Sequence, residues 1–164
     1  MFFPLRINCR MAIYELTNLK QNIRSGQCLL GVDLGSKTIG LSVSDPLLII
    51  ASPLKTIRRT RFSENLALIK SIILELNVGG MIIGLPISLN GKEGPRCQST
   101  RQFASNFLSG IDIPLAFWDE RYSTAAVERL LISEADISRT KRSKIIDKMA
   151  ATYILQGALD FINK

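Results

Sequence analysis

Along Cys28–Asp33 the apolar positions recur with the two-residue period of a strand, placing Leu30, Val32 and Leu34 on one face. Gly35 and Gly40 bracket a turn and Leu41–Ser44 alternates again, so the two segments predict a hairpin. Asp45-Pro46 reads as a turn, and Leu48–Ala51 is expected to open a third strand leading to Pro53. From Glu64 to Leu76 the spacing becomes helical, through Leu66, Ile69, Ile73 and Leu76. Val78–Leu85, flanked by glycine and ended by Pro86, predicts a central strand. The residues from Ile87 to Arg96 read as a loop, and Arg101–Leu108 as a helix with Phe103, Phe107 and Leu108 on its apolar side. Leu115–Asp119 is a further strand, after which Ser123 or Thr124 can cap a helix running to about Ser133. A basic stretch, Arg139–Lys144, precedes a last helix, Ile145–Ile162, expected to bury Ile146, Met149, Ala150, Tyr153, Ile154, Ala158 and Phe161.

The order βββ, α, β, α, β, α, α predicts an α/β fold: a mixed five-stranded sheet, three antiparallel strands first, with helices on both faces. Residues 28–164 form one domain, without internal repeat or linker. Residues 1–27 are expected to be an extension, partly helical or flexible, with a short amphipathic helix around Ile13–Leu19 and no catalytic role. No apolar run reaches the roughly 18–20 residues of a membrane span, so no membrane partner is expected.

Composition narrows the chemistry. Among 164 residues, 21 Lys and Arg face 14 Asp and Glu, a formal charge of +7, which points to polyanionic partners, chiefly nucleic acid. The chain has no His, which excludes Ser-His-Asp and Cys-His sites and zinc sites with His ligands. Cys9, Cys28 and Cys97 are widely spaced and odd in number, as expected of reduced thiols in a cytoplasmic protein.

Catalysis must therefore rest on carboxylates, hydroxyls, Lys or Arg. Asp33 shares a strand face with Gly31 and Gly35, which predicts open space around its carboxylate; the structural alternative is an Asp capping the Gly35 turn. Asp119-Glu120-Arg121 follows the apolar run Leu115–Trp118, at the carboxyl end of a strand where ligands collect in open α/β sheets. Successive strand residues face opposite sides, so one of Asp119 and Glu120 is expected to reach a metal and the other to orient Arg121 or cap a helix. Asp147 is the third candidate, though an acid in a first helical turn is also an ordinary dipole partner. Asp160 is expected to be solvated. Separated carboxylates on a basic chain without His suggest Mg²⁺ or Mn²⁺ acting on a phosphodiester. Lys37, Arg121 and the basic segment with Arg139, Lys141, Arg142 and Lys144 are candidate phosphate contacts, as is Arg58-Arg59-Thr60-Arg61.

The stretches LLGVDLGSKTIGLSVSD, MIIGLPISLNGKEGP, FWDERYSTAAVERLL and DKMAATYILQGALD, in this order from about Leu29 to Leu159, resemble the YqgF (RuvX) family of the ribonuclease H-like superfamily. The resemblance implies a ribonuclease H-like fold and divalent-metal phosphodiester hydrolysis. The family's first-strand Asp falls on Asp33, its D-E-R acids on Asp119 and Glu120, and its final-helix Asp on Asp147. It further implies a part in maturing the 5′ end of pre-16S rRNA, on ribosomal particles or free RNA. The alternative is Holliday-junction resolution on branched DNA. The RNA role is preferred because RuvC-type resolvases carry an acid at the end of the fourth strand, where this chain has Gly84-Leu85-Pro86. Two readings of other classes stay open. D-L-G-S-K-T-I-G also resembles the phosphate loop of actin-like ATPases, although 164 residues cannot supply two such lobes. A non-catalytic RNA-binding assembly factor on a nuclease fold is the other.

Overall fold

The computed structural model describes residues 13–122 and 139–164, and their side chains except at 122 and 139–147. Five strands, β1 (Cys28–Leu34), β2 (Thr38–Ser44), β3 (Ala51–Arg58), β4 (Val78–Leu85) and β5 (Leu115–Asp119), form one sheet in the order β3-β2-β1-β4-β5. The β1–β2 and β2–β3 pairs are antiparallel, and β4 is parallel to both β1 and β5. Around the sheet stand α1 (Leu16–Leu19), α2 (Phe62–Glu75), α3 (Pro95–Gly110) and α4 (Arg139–Ile162). This is the mixed sheet that the alternating pattern predicts.

The sheet separates two cores. Leu30, Val32 and Leu34 of β1, with Met81, Ile83 and Leu115, pack under α2 and α3 against Ile69, Phe103 and Phe107. On the other face Leu29, Ile82 and Ala116 meet Ile154, Leu155, Ala158 and Leu159 of α4. Leu19, fully buried in this second cluster, ties α1 to the domain. Helix α1 is shorter than the expected Ile13–Leu19; the Tyr14 amide instead donates to the Leu115 carbonyl, and Ile13 bridges Leu115 in parallel.

Several expected boundaries shift, each for a local reason. The apolar run Leu48–Ile50 resembles the start of a strand but belongs to a turn. Asp45 accepts hydrogen bonds from the amides of Leu47, Ile49 and Ile50, and Leu48, at φ 58°, is turned into the core. β3 therefore starts at Ala51 and runs through Pro53, which an edge strand tolerates at a break in register. Helix α3 begins at Pro95, not Arg101, because proline at the first helical position gives up no hydrogen bond. The basic segment from Arg139 is not a separate stretch before the last helix but its first turns. The buried stripe of α4 is Ala151, Ile154, Leu155, Ala158 and Leu159. Met149, Ala150 and Tyr153 are only half-buried and Phe161 is exposed, while Ile146 lies outside the described side chains. The expected helix after Ser123 falls on residues outside those described.

Candidate active site

Strands β1, β4 and β5 all run the same way, so their carboxyl ends form one rim. Alternation sets which side of the sheet each rim residue faces. On β1, Asp33 follows Leu29 and Gly31 on the α4 face. On β4 that face carries Ile82 and Gly84, and on β5 Ala116 and Trp118. Glu120, two residues after Trp118 in a short 3₁₀ turn, keeps to the same side. A Cβ on Gly84 would collide with the Glu120 carboxylate, come within 2.5 Å of Ile154 Cδ1 and lie 3.1 Å from Glu120 Cδ. The Glu120 side chain thus fills the place that a side chain at the end of β4 would take.

There it meets Asp33. Burial first, and then the negative charge of Asp33, push the Glu120 carboxyl up to about 7, against the pull of the Arg96 guanidinium. The two acids, 87 residues apart in sequence, are held close enough to repel across the gap left by Gly84. Asp119, on the opposite side, is engaged elsewhere. Its carboxylate accepts from the Arg121 backbone amide at 3.0 Å and from Arg121 Nε and Nη2 at 2.9 and 2.6 Å. Burial alone would raise its pKa, but these bonds and the Arg121 charge draw it below the usual carboxylate range. Arg121 is accordingly a guanidinium fixed at the rim by its neighbour, with its side chain 31% exposed.

Helix α4 packs across this face of the sheet. A Cβ on Gly31 would fall 2.7 Å from Leu155 Cβ and 3.0 Å from the Ala151 carbonyl oxygen, which accepts a 2.7 Å hydrogen bond from Ser42 Oγ. The expectation of open space around Asp33 on the Gly31 side is therefore corrected: that space admits the helix backbone. At Gly35 a Cβ would sit 2.8 Å from the Thr38 carbonyl oxygen, so this glycine serves the turn. Residue 147 lies one turn before Ala151 in the same helix. The side chains of Asp147, Arg139, Lys141, Arg142 and Lys144 lie outside those described, although all five residues belong to α4.

Lys37 is exposed in the β1–β2 turn, where its carbonyl accepts from the Arg59 amide. Asp160 is exposed and accepts from Gln156. Cys28 and Cys97 are free and buried; burial, then Asp45, pushes the Cys28 thiol up, and Cys97 Sγ donates to the Pro86 carbonyl. Among the described residues no group of three Cys, Asp or Glu side chains is poised to hold a metal, and no helix is long and apolar enough to cross a membrane. Arg96 is a site residue that sequence reasoning misses, since it reads there as part of a loop. Gly94-Pro95 directly before it is the available signal of a helix start.

Residues 27–161 match the model of the RuvX family, described as Holliday junction resolvase. A protein of Paramagnetospirillum magneticum named "Putative pre-16S rRNA nuclease" is 51% identical over 150 residues, covering 92% of this chain and 96% of its own. One of the same name from Roseobacter denitrificans is 47% identical over 154 residues, covering 93% and 94%. The crystal structure of the fowlpox virus Holliday junction resolvase superposes with a TM-score of 0.51 at 11% identity, covering 83% of this chain and 99% of that one, a likeness of fold alone. The match of nearly the whole domain and the high identity to full-length relatives lead to one conclusion: the chain belongs to the RuvX family.

Proposed function

We propose that this protein is a divalent-metal-dependent nuclease that hydrolyses phosphodiester bonds in the 5′ precursor of 16S rRNA, in the cytoplasm, with Asp33, Glu120 and Asp147 as metal ligands. The observation that carries the reading is the seat of the Glu120 carboxylate against Gly84, beside Asp33 on the neighbouring strand, at the carboxyl ends of parallel strands. Two carboxylates whose charges act on each other at a sheet rim are the donor set of a hard divalent ion. The donors are oxygens, and no thiol or imidazole stands among them, which fits Mg²⁺ or Mn²⁺. Asp147, one turn before Ala151 on the facing helix, would bring a third carboxylate.

When bound, such cations supply Lewis acidity to the phosphate and to the attacking water. The chain's own residues supply position. Asp33 is fixed by strand pairing opposite Gly40, and Glu120 by its seat against Gly84 and Ile154. Asp119 acts one step removed, locking Arg121 where it would meet a phosphate on the substrate. Lys37 and the basic first turns of α4 extend the positive surface along which a polyanion would lie.

The names of the relatives favour RNA and, at this identity and coverage, extend naturally to this chain. The description of the family favours a second substrate, four-way DNA junctions. Purified protein with Mn²⁺ is incubated with a 16S 5′ precursor transcript and, separately, with a four-way junction. Cleavage of the transcript near the mature end, lost in Asp33→Asn by at least about 100-fold, is expected, since the contribution at risk is several kcal/mol and each 1.36 kcal/mol is tenfold. Cleavage of the junction alone would transfer the function to recombination. Asp33→Asn retaining full cleavage would remove the acid pair from the chemistry, and tight RNA binding with no cleavage would leave an assembly factor.

A further inference from the structure

A second feature of the rim lies on the α3 side, away from the face that carries the acids. Leu34, Gly35 and Ser36 at the end of β1, Arg59 after β3, and Arg96 and Ser99 in the first turns of α3 line a recess of about 200 Å³. Three chain segments thus bring two guanidinium groups and three hydroxyls, Thr100 among them, to one concavity. Arg59 is oriented by donating from Nη1 to the Gly35 carbonyl at 3.0 Å, and its backbone amide donates to the Lys37 carbonyl. Among the described residues neither Arg59 nor Arg96 forms an ion pair, whereas Arg101 and Arg121 do. The amino end of α3, a sixteen-residue helix without a side-chain cap, faces the same recess and adds its own positive potential. Arg96 also lies within electrostatic reach of Glu120, so recess and acids are neighbours.

From this geometry we infer that the recess formed by Gly35, Ser36, Arg59, Arg96 and Ser99 is a subsite for a single backbone phosphate of the nucleic acid, flanking the phosphodiester held at the acids. The inference rests on the nuclease reading for the direction of the strand, and extends it by naming what holds the substrate off the acid face. The bound strand crosses the rim: one phosphate sits over Asp33 and Glu120, while a neighbour is clamped between Arg59 and Arg96 on the opposite side of the sheet. An acid pair repels a polyanion. An adjacent cationic clamp offsets that repulsion and fixes which bond comes to rest over the acids.

The test uses the whole protein in EDTA, so that binding is read without hydrolysis, with a short fluorescein-labelled single-stranded RNA as probe. Arg59→Gln/Arg96→Gln is expected to bind about tenfold more weakly, the worth of a charge-assisted hydrogen bond. Its dependence of log K on log salt should flatten by about 0.7, the value for one phosphate on a single strand. Lys70→Gln on α2, outside the recess, should change neither, and Arg96→Lys should recover part of the loss. A series of probes with one methylphosphonate each sharpens the result. Wild type should lose affinity at a position where the double variant shows no further loss. Unchanged salt dependence in the double variant, or equal losses at every probe position, would overturn the subsite. Arg96→Gln alone keeps the test usable should Arg59→Gln disturb the turn at Gly35. Cleavage by wild type in Mn²⁺, measured in parallel, decides the nuclease reading by itself: a flattened salt slope without cleavage keeps the recess and removes the nuclease, and cleavage with an unchanged slope does the reverse.

Discussion

Gly31 on β1 and Gly84 on β4 look alike in sequence, each a glycine within an apolar strand on the α4 face of the sheet, yet the molecule fills the two missing side chains differently. At Gly31 the space is taken by backbone and Cβ atoms of α4, from Ala151 and Leu155, together with Ser42 Oγ. At Gly84 it is taken by the ends of two flexible side chains, the carboxylate of Glu120 and Cδ1 of Ile154. The first glycine closes a seam, and the second opens a seat for an acid. What separates them is height on the sheet: Gly31 lies inside the packed region, whereas Gly84 lies at the rim. A glycine in a strand therefore says only that something approaches closely, and the depth at which it sits decides whether that something is structure or chemistry.

The sharpest way to probe the seat is through the acid that occupies it. The Glu120 carboxyl is raised to about 7 in the fold from an ordinary 4.5, so the native state binds its proton more tightly than the unfolded chain does. The contribution to stability is then full below about pH 4.5 and is lost as pH rises through about 7. In metal-free protein, Glu120→Gln should gain stability over wild type on going from pH 4 to pH 8, by about 3 kcal/mol at 1.36 kcal/mol per tenfold change in proton affinity. Urea unfolding across that range in EDTA measures it. Added Mn²⁺ should stabilise wild type at pH 8 and leave the variant nearly unchanged. A flat difference between the two proteins from pH 4 to 8 would mean that Glu120 is not held against Asp33.

The glycines themselves give the next effect. Gly31→Ala pushes against the Ala151 carbonyl and Leu155 Cβ, neither of which can swing aside, and should cost about 1–3 kcal/mol of overpacking. Gly84→Ala meets only movable side-chain ends, so its cost in stability should be smaller, while the displaced Glu120 should lower cleavage sharply. Thermal unfolding and cleavage rates measured on both variants separate seam from seat. Equal losses of stability, with cleavage unaffected at Gly84, would erase the distinction.

How much of this molecule is legible in its sequence follows from which forces are local. The strand faces are readable because Leu30, Val32 and Leu34 alternate with residues that pack on the other side, and alternation is enforced by the backbone alone. The same rule assigns Asp119 and Glu120 to opposite sides from their adjacency at the end of β5. Leu48–Ile50 misleads because three hydrophobic residues in a row imitate a strand, while the Asp45 carboxylate gathers their amides into a turn. The stripe of α4 is misjudged because an amphipathic period does not fix its own phase. Glycine at position 31 lets the helix settle on Ala151 and Leu155, and that contact spans 120 residues or more of sequence. The convergence of Arg59 with Arg96 is invisible for the same reason. Arg59 stands out as part of a basic run, but Arg96 is unremarkable in its segment, and only the chain path through β3 and α3 brings the two together.

The smallest expected effect concerns the acid that the structure turns away. Asp119 and Glu120 are adjacent, equally acidic and equally close to the end of β5, so a comparison between them isolates orientation from composition. Asp119 is drawn below the usual range by its bonds from Arg121, hence its contribution is present above about pH 3.8 and is lost as pH falls through its lower value in the fold. Partial exposure of both partners keeps that contribution to about 1 kcal/mol or less. Asp119→Asn should therefore be slightly less stable than wild type at pH 7, with the difference shrinking as pH falls below about 3.8, the opposite trend to Glu120→Gln. Its cleavage should fall only by the few-fold that a loosened Arg121 entails. A loss of cleavage as complete as that of Asp33→Asn would show that Asp119 swings across the rim when substrate binds, and that alternation along β5 does not select the acid that does the chemistry.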